Sequence, residues 1–269
     1  MNEYLDLGLI SSFVPAASSF AGDIDFLFDM ITLIVGIFFI LTLATLFYFL
    51  LRFPRKEGVK AQYITGEKHS EKVWTHYPHY AIIFLDVIII GFTIVVWVNV
   101  KQTLPPNEDN IRAIGQQWSW SFVHTGADGK LDTGDDVNTV NDLHVVRGKV
   151  YHFELQSRDV LHNFAVPAFR LRQDIIPGRS IKGWFKPTLP GTFDLQCAEI
   201  CGRGHSMMLA AVTVHPDQQS YDEAMDAIRA GTYESHFIKK RQRGPVPLPF
   251  TVSKSEKKSP YAIELASNF

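Results

Sequence analysis

From Met30 to Leu51 the chain runs 22 residues without a single charge, M-I-T-L-I-V-G-I-F-F-I-L-T-L-A-T-L-F-Y-F-L-L. A stretch of that length and character matches the roughly 30 Å hydrocarbon core of a bilayer, so it predicts a membrane-crossing helix. A second run, Tyr80 to Val100, is interrupted only by Asp86. Two apolar runs joined by a polar loop predict a transmembrane hairpin. The alternative for either run is a helix buried in a protein core.

Flanking charge sets the expected direction. The N-terminal stretch before the first run carries Glu3, Asp6, Asp23, Asp25 and Asp29 and no Lys or Arg. The loop between the runs carries Arg52, Arg55, Lys56, Lys60, Lys68 and Lys72 against Glu57, Glu67 and Glu71. Positive charge stays on the cytoplasmic side, so both ends of the chain are expected outside. The expected organisation is an extracytoplasmic N-terminal segment (1–29), transmembrane helices at 30–51 and 80–100, a cytoplasmic loop (52–79), an extracytoplasmic domain (101–232) and a basic tail (233–269). The N-terminus lacks the basic region of a secretory signal, so no cleavable leader is expected. Asp86 is costly at membrane depth. It reads either as a contact with a larger membrane partner or as a carboxyl kept protonated or hydrogen-bonded to a neighbouring helix.

Over the whole chain, charged residues make up 20% and the formal net charge is -2. Nothing in that balance suggests a nucleic-acid-binding protein, which needs a basic excess. Beyond the linker Lys101–Asn110 the pattern changes to short apolar segments broken by turn signals. Strands are expected at Ile111–His124, Leu143–Val146, Lys149–Gln156, Phe164–Val166, Ile181–Phe185, Thr192–Leu195 and Leu209–Val214, which suggests an antiparallel sandwich or barrel. A helix is expected near Gln218–Ala230. The Asp- and Gly-rich stretch Gly126–Asp136 reads as a solvated hairpin or as a calcium loop, although it lacks the spacing of an EF-hand.

The chemistry concentrates in Cys197–Met208, C-A-E-I-C-G-R-G-H-S-M-M. Cys197 and Cys201 are the only cysteines. Soft sulfur donors with imidazole select copper or zinc over magnesium or calcium, and a thioether tilts the choice toward copper, because zinc sites are typically closed by Cys, His or carboxylate. A single-copper blue site uses one Cys, and here a second could bridge two ions. His162, in D-V-L-H-N-F-A-V-P, is available to complete the set.

The motif C-x-E-x-C-G-x-x-H-x-x-M, preceded by D-V-x-H-x-F-x-V-P and I-P-G-R, resembles the CuA domain of cytochrome c oxidase subunit II. The likeness covers the chain up to about residue 232, the helical hairpin included. It implies a cupredoxin-like Greek-key barrel and a binuclear copper centre held by His162, Cys197, Cys201, His205 and Met208, with the backbone carbonyl of Glu199 completing it. Met207 is passed over by the family spacing. The resemblance further implies that the Glu199 side chain binds magnesium at the interface with oxidase subunit I. It implies that Trp118, in Gln117–Trp120, takes electrons from a c-type cytochrome, helped by acids such as Asp159. Ser119 replaces the tyrosine common between the two tryptophans. Glu71, in Glu71-x-x-Trp74, resembles a residue near the entrance of a proton path into subunit I. Trp118 and Trp120 could instead pack on one face of a strand, and Glu71 could be an ordinary interfacial acid. His76, His79, His124, His144, His152, His215 and His236 receive no role.

The expected function is electron transfer from cytochrome c to haem in subunit I, in a complex with other oxidase subunits. The expected site is the bacterial cytoplasmic membrane, with the copper domain periplasmic, or the mitochondrial inner membrane. The competing readings are a CuA-bearing small subunit of a nitric oxide reductase, a C-x3-C copper chaperone, a copper-free quinol oxidase subunit and a structural anchor. The chaperone needs a thioredoxin-like βαβ pattern that the sequence lacks, and the quinol type lacks the ligand set.

Overall fold

The computed structural model describes residues 8–60, 63–235 and 237. The basic cluster Lys239, Lys240, Arg241 and Arg243, together with His236, Glu3 and Asp6, lies outside the described residues. Residues from Glu234 on make a separate unit.

Two long helices open the chain, α1 (Ala21–Arg52) and α2 (His69–Trp97), the latter ending in a π-helical turn at Val98–Gln102. Both are long and apolar enough to cross a membrane, and their most apolar stretches are unburied within the chain. That separates them from core helices of a soluble protein. Each helix outruns its charge-free stretch. α1 starts nine residues before Met30, and α2 starts in the polar loop, so Glu71 sits in its first turn. An acid there suits the positive end of the helix dipole, and the Glu71 carboxylate also accepts from Gly66 N–H (3.0 Å).

The rest is a two-sheet barrel of ten strands: β1 Asp109–Gln116, β2 Ser119–His124, β3 Val137–Val140, β4 Asp142–Val146, β5 Tyr151–Ser157, β6 His162–Val166, β7 Leu171–Ile175, β8 Ile181–Phe185, β9 Gly191–Cys197 and β10 Leu209–His215. One sheet runs β3-β2-β1-β5-β8 and the other β4-β10-β9-β6-β7. The chain therefore has the expected two-helix hairpin and cupredoxin-like β-barrel. Two pairings depart from the antiparallel expectation, because β1 with β5 and β4 with β10 run parallel. Burial alternates along β1, β2 and β5, while β4, β6 and β10 are buried almost throughout, and the core gathers the aromatic side chains of Trp120, Phe122, Phe153, Phe164, Phe169 and Phe185.

Ile111–His124, expected as one strand, is instead a tight hairpin, β1 pairing with β2 from Ile111↔His124 to Gln116↔Ser119. Trp118 lies in the turn and is 40% exposed, whereas Trp120 is fully buried, so the two do not share a packing face. β3 and β7 are additions to the expected strands. Both are short polar-interrupted strands at sheet edges, with little apolar signal of their own.

The segment before α1 packs on the barrel. Ala17 N–H donates to Ala168 O (2.7 Å), Thr188 N–H donates to Ala17 O (2.9 Å), and Phe20 meets Trp184 edge-on. The N-terminal segment and the β domain thus lie at the same end of the helical hairpin. Arg170 locks that joint, donating two hydrogen bonds to Asp25 (2.6 and 2.9 Å) and others to the carbonyls of Val14, Pro15 and Pro167. At the far edge of the barrel α3 (Gln218–Arg229) covers β3 and β4 with Tyr221 and Met225.

Candidate metal centre

The Cys197–Met208 loop leaves β9 at Cys197 and re-enters the barrel just before β10, crossing back over itself. Cys197 N–H donates to Met208 O (3.1 Å), His205 N–H to Gly202 O (3.1 Å) and Met208 N–H to His205 O (3.1 Å). Gly202 has φ +120°, a conformation that L side chains rarely adopt, and it allows the chain to fold back after Cys201. β6 brings His162 alongside, since Phe164 pairs with Cys197.

These elements gather the soft donors. The sulfurs of Cys197 and Cys201 lie 3.7 Å apart and are not joined. Nδ1 of His162 is 3.9 Å from Cys197 Sγ, and Nδ1 of His205 is 3.6 Å from Cys201 Sγ. Met208 Sδ is 3.8 Å from Cys201 Sγ and the Glu199 carbonyl oxygen is 3.2 Å from Cys197 Sγ. His162, Cys197, Cys201 and Met208 are buried, while Met207 is 56% exposed. The ligand atoms of His162, Cys197 and Cys201 all lie within 4.8 Å of one another, the one such group among the described residues. Burial, reinforced by the neighbouring Cys197 thiol, pushes the Cys201 thiol up to about 12. A bound cation would overcome that preference for the protonated form. Two thiols, two imidazoles, a thioether and a carbonyl make a donor set that fits copper and that hard oxygen-seeking ions would not choose.

The supporting residues are less visible in the sequence. Asp159 Oδ1 is 2.8 Å from Nε2 of His162, which turns Nδ1 toward the thiols. The other carboxylate oxygen accepts from Gln117 N–H (2.7 Å). Burial alone would raise the Asp159 carboxyl, but the hydrogen bonds from Gln117, His162 and Val160 outweigh it and hold the carboxyl below its ordinary value. Gln117 Nε2 donates to Cys201 O (2.7 Å). Gly115 leaves room for the His162 ring, since a Cβ there would lie 3.1 Å from its Cδ2. The sequence signal for these roles is the D-x-x-H spacing and the Gln before Trp118, neither of which is readable without the fold.

The side chains of the remaining residues singled out in the sequence are not among these donors. The Glu199 side chain is half-buried and has no hydrogen-bond partner among the described residues, and Glu71 belongs to the other end of α2. The carboxylates of Gly126–Asp136 are engaged locally: Asp132 pairs with Arg112 (2.6 and 3.0 Å), Asp135 accepts from Asp128 N–H and Thr133 Oγ1, and Asp136 accepts from Asp132 N–H. A second histidine group, His124, His144 and His215, is buried between the sheets and α3, with His144 Nδ1 2.9 Å from His215 Nε2.

Residues 110–214 match the family model described as cytochrome C oxidase subunit II, periplasmic domain. Residues 6–94 match the one described as cytochrome C oxidase subunit II, transmembrane domain. Among curated relatives, the alternative cytochrome c oxidase subunit 2 of Bradyrhizobium diazoefficiens is 34% identical over 225 residues, covering 76% of this chain and 79% of the relative. The cytochrome c oxidase subunit 2 of Cereibacter sphaeroides is 27% identical over 254 residues, covering 83% and 82%. Among solved structures, the periplasmic domain of subunit II of the Bradyrhizobium japonicum cytochrome oxidase is 29% identical, covers 49% of this chain and 100% of that one, and gives a TM-score of 0.43.

Proposed function

The chain belongs to the cytochrome c oxidase subunit II family, and from that premise we propose that it is the electron-entry subunit of a cytochrome c oxidase. It takes electrons from a c-type cytochrome at a binuclear copper site and hands them to haem in subunit I, where oxygen is reduced. The observation that carries this reading is the convergence of Cys197, Cys201, His162, His205 and Met208 on one buried spot outside the helical hairpin. A copper pair held by these residues would supply a one-electron carrier.

The protein's own contribution is rigidity and access. Asp159 fixes the His162 ring, the barrel core behind it resists movement, and the self-bonded loop holds both thiols. Ligands that cannot rearrange keep the cost of each change of charge low. Trp118, exposed in the β1–β2 turn, offers an aromatic contact to a docking cytochrome, and Asp159 lends negative charge beside it. Such a contact, an aromatic anchor with complementary charge around it, suits a fast and transient partner.

Asp86 is exposed on α2 and has no ion pair or hydrogen bond among the described residues. An ionisable group at that depth is costly facing lipid and usually faces protein, which supports packing against subunit I. The basic loop between the helices favours the cytoplasmic side, leaving the barrel periplasmic. Glu199, beside the site and without an internal partner among the described residues, is our candidate magnesium ligand at the subunit I interface, and Glu71 our candidate for a proton-path entrance. The oxidase relatives favour oxygen over nitric oxide as the acceptor's substrate.

The test is to purify the complex that carries this chain and feed it a reduced c-type cytochrome. Oxygen consumption that collapses in Cys201→Ser, which removes one of the two thiols of the donor set, is the expected result. Turnover of nitric oxide without oxygen consumption, or full activity in the variant, would overturn the reading.

A further inference from the structure

The Trp118 indole lies against the loop stretch between Cys201 and His205, over Gly202 and Gly204. The two glycines are there for different reasons. At Gly202 the φ of +120° already demands glycine. Gly204 has φ -90° and ψ 11°, so its backbone does not require one. What its missing side chain leaves free is space for the indole. A Cβ at Gly204 would fall 2.6 Å from Trp118 Cγ and 2.8 Å from Cε3, and still closer to Cδ2. All three of its nearest neighbours would belong to Trp118, and they are atoms of the rigid fused ring.

Trp118 has room to give way, because it is 40% exposed and sits in a turn. The backbone on either side of it does not, since Ser119 pairs with Gln116 across the hairpin on one side and Gln117 is held on the other. Gln117 is fastened to Cys201 O through its side chain and to Asp159 through its N–H. A side chain at residue 204 would therefore tilt the indole off the loop into solvent while leaving the donor cluster in place.

We propose that Gly204 is a positioning residue for electron entry: its bare α-carbon seats the Trp118 indole directly on the Cys201–His205 loop. The inference rests on the reading of Trp118 as the entry point and sharpens it. The step concerned moves one electron from a ferrous c-type cytochrome, which becomes ferric, into the site, which is reduced by one electron. No bond is made or broken, so its rate depends on how closely the indole and the loop approach.

The experiment compares wild type, Gly204→Ala, Gly204→Asn, Trp118→Ala and the double variant Gly204→Ala/Trp118→Ala in the intact oxidase complex. The readings are copper content, the near-infrared band and the rate of electron uptake from a photoreduced cytochrome. Displacement of a reacting group by about an ångström can cost up to about a hundredfold, and an indole that only tilts is expected to slow uptake about tenfold in either glycine variant. Copper content and the band should stay as in wild type, and the Gly204 effect should vanish once Trp118 is gone. A second readout uses the full chain in detergent before copper is added, with Trp118→Phe isolating the fluorescence of Trp118. Iodide should quench that fluorescence more readily in Gly204→Ala.

Wild-type uptake and quenching in Gly204→Ala overturn the proposal, as does a slowing that persists without Trp118, which would place the fault in the loop itself. If Trp118→Ala alone takes up electrons at the wild-type rate, the entry reading falls with it. A failure confined to Gly204 leaves that reading standing.

Discussion

His124 closes β2 with its ring wholly buried, Nε2 accepting from His144 N–H (3.1 Å) and Nδ1 facing Val137 O (3.3 Å). That arrangement fixes a neutral tautomer with its proton on Nδ1, and burial pushes the imidazole down to about 4 from an ordinary 6.5. Between those two values the unfolded chain binds a proton that the folded chain refuses, so stability falls as pH drops from about 6.5 toward about 4, by at most about 1.4 kcal/mol per pH unit from this group. Thermal unfolding of the full chain across that range should show the decline, and His124→Gln should flatten it. A slope that is the same in wild type and variant would refute the assignment. In the sequence this histidine has no context, because what buries it are β4 and β10, which meet β2 only in the folded barrel. The donor cluster is the opposite case. Cys197, Cys201, His205 and Met208 stand within one short loop, so their types and spacing are readable directly. Gly204 is readable as a loop residue and nothing more, since the ring that needs its space arrives from residue 118.

At the scale of elements, Arg170 and Asp25 join the barrel to the first turns of α1 through a buried, doubly hydrogen-bonded pair. Removing one partner of such a pair leaves an uncompensated charge and costs about 3 kcal/mol or more. Asp25→Asn in the detergent-solubilised chain should unfold at clearly lower denaturant, and adding Arg170→Met should recover part of the loss. An unchanged midpoint in Asp25→Asn would mean the pair holds nothing together. Strand boundaries are the least legible elements. Ile111–His124 reads as one strand because apolar residues recur along its whole length, yet Ile111, Ala113 and Gly115 point inward at odd positions while Trp120, Phe122 and His124 do so at even ones. That parity slip is the trace of the turn at Gln117–Trp118, and it is what frees Trp118 from the core. β3 and β7, paired only along one edge, have too few apolar residues to announce themselves.

For the molecule as a whole, the two membrane-length helices and the β-rich remainder are plain in the sequence, because hydrophobic length and alternation are local properties. The parallel pairings of β1 with β5 and of β4 with β10 depend on which distant segments meet, and no local pattern encodes that. The same long-range assembly brings His162 on β6 to a loop that starts 35 residues later, and it sets the N-terminal segment and the barrel at one end of the hairpin. The central claim is that this assembly builds one site for two copper ions. Copper analysis with electron paramagnetic resonance of the purified full chain tests it most directly. Two coppers per chain with one unpaired electron shared between both nuclei is the predicted result. A single-copper blue signal, or a chain that binds no copper while its thiols remain free, would contradict it.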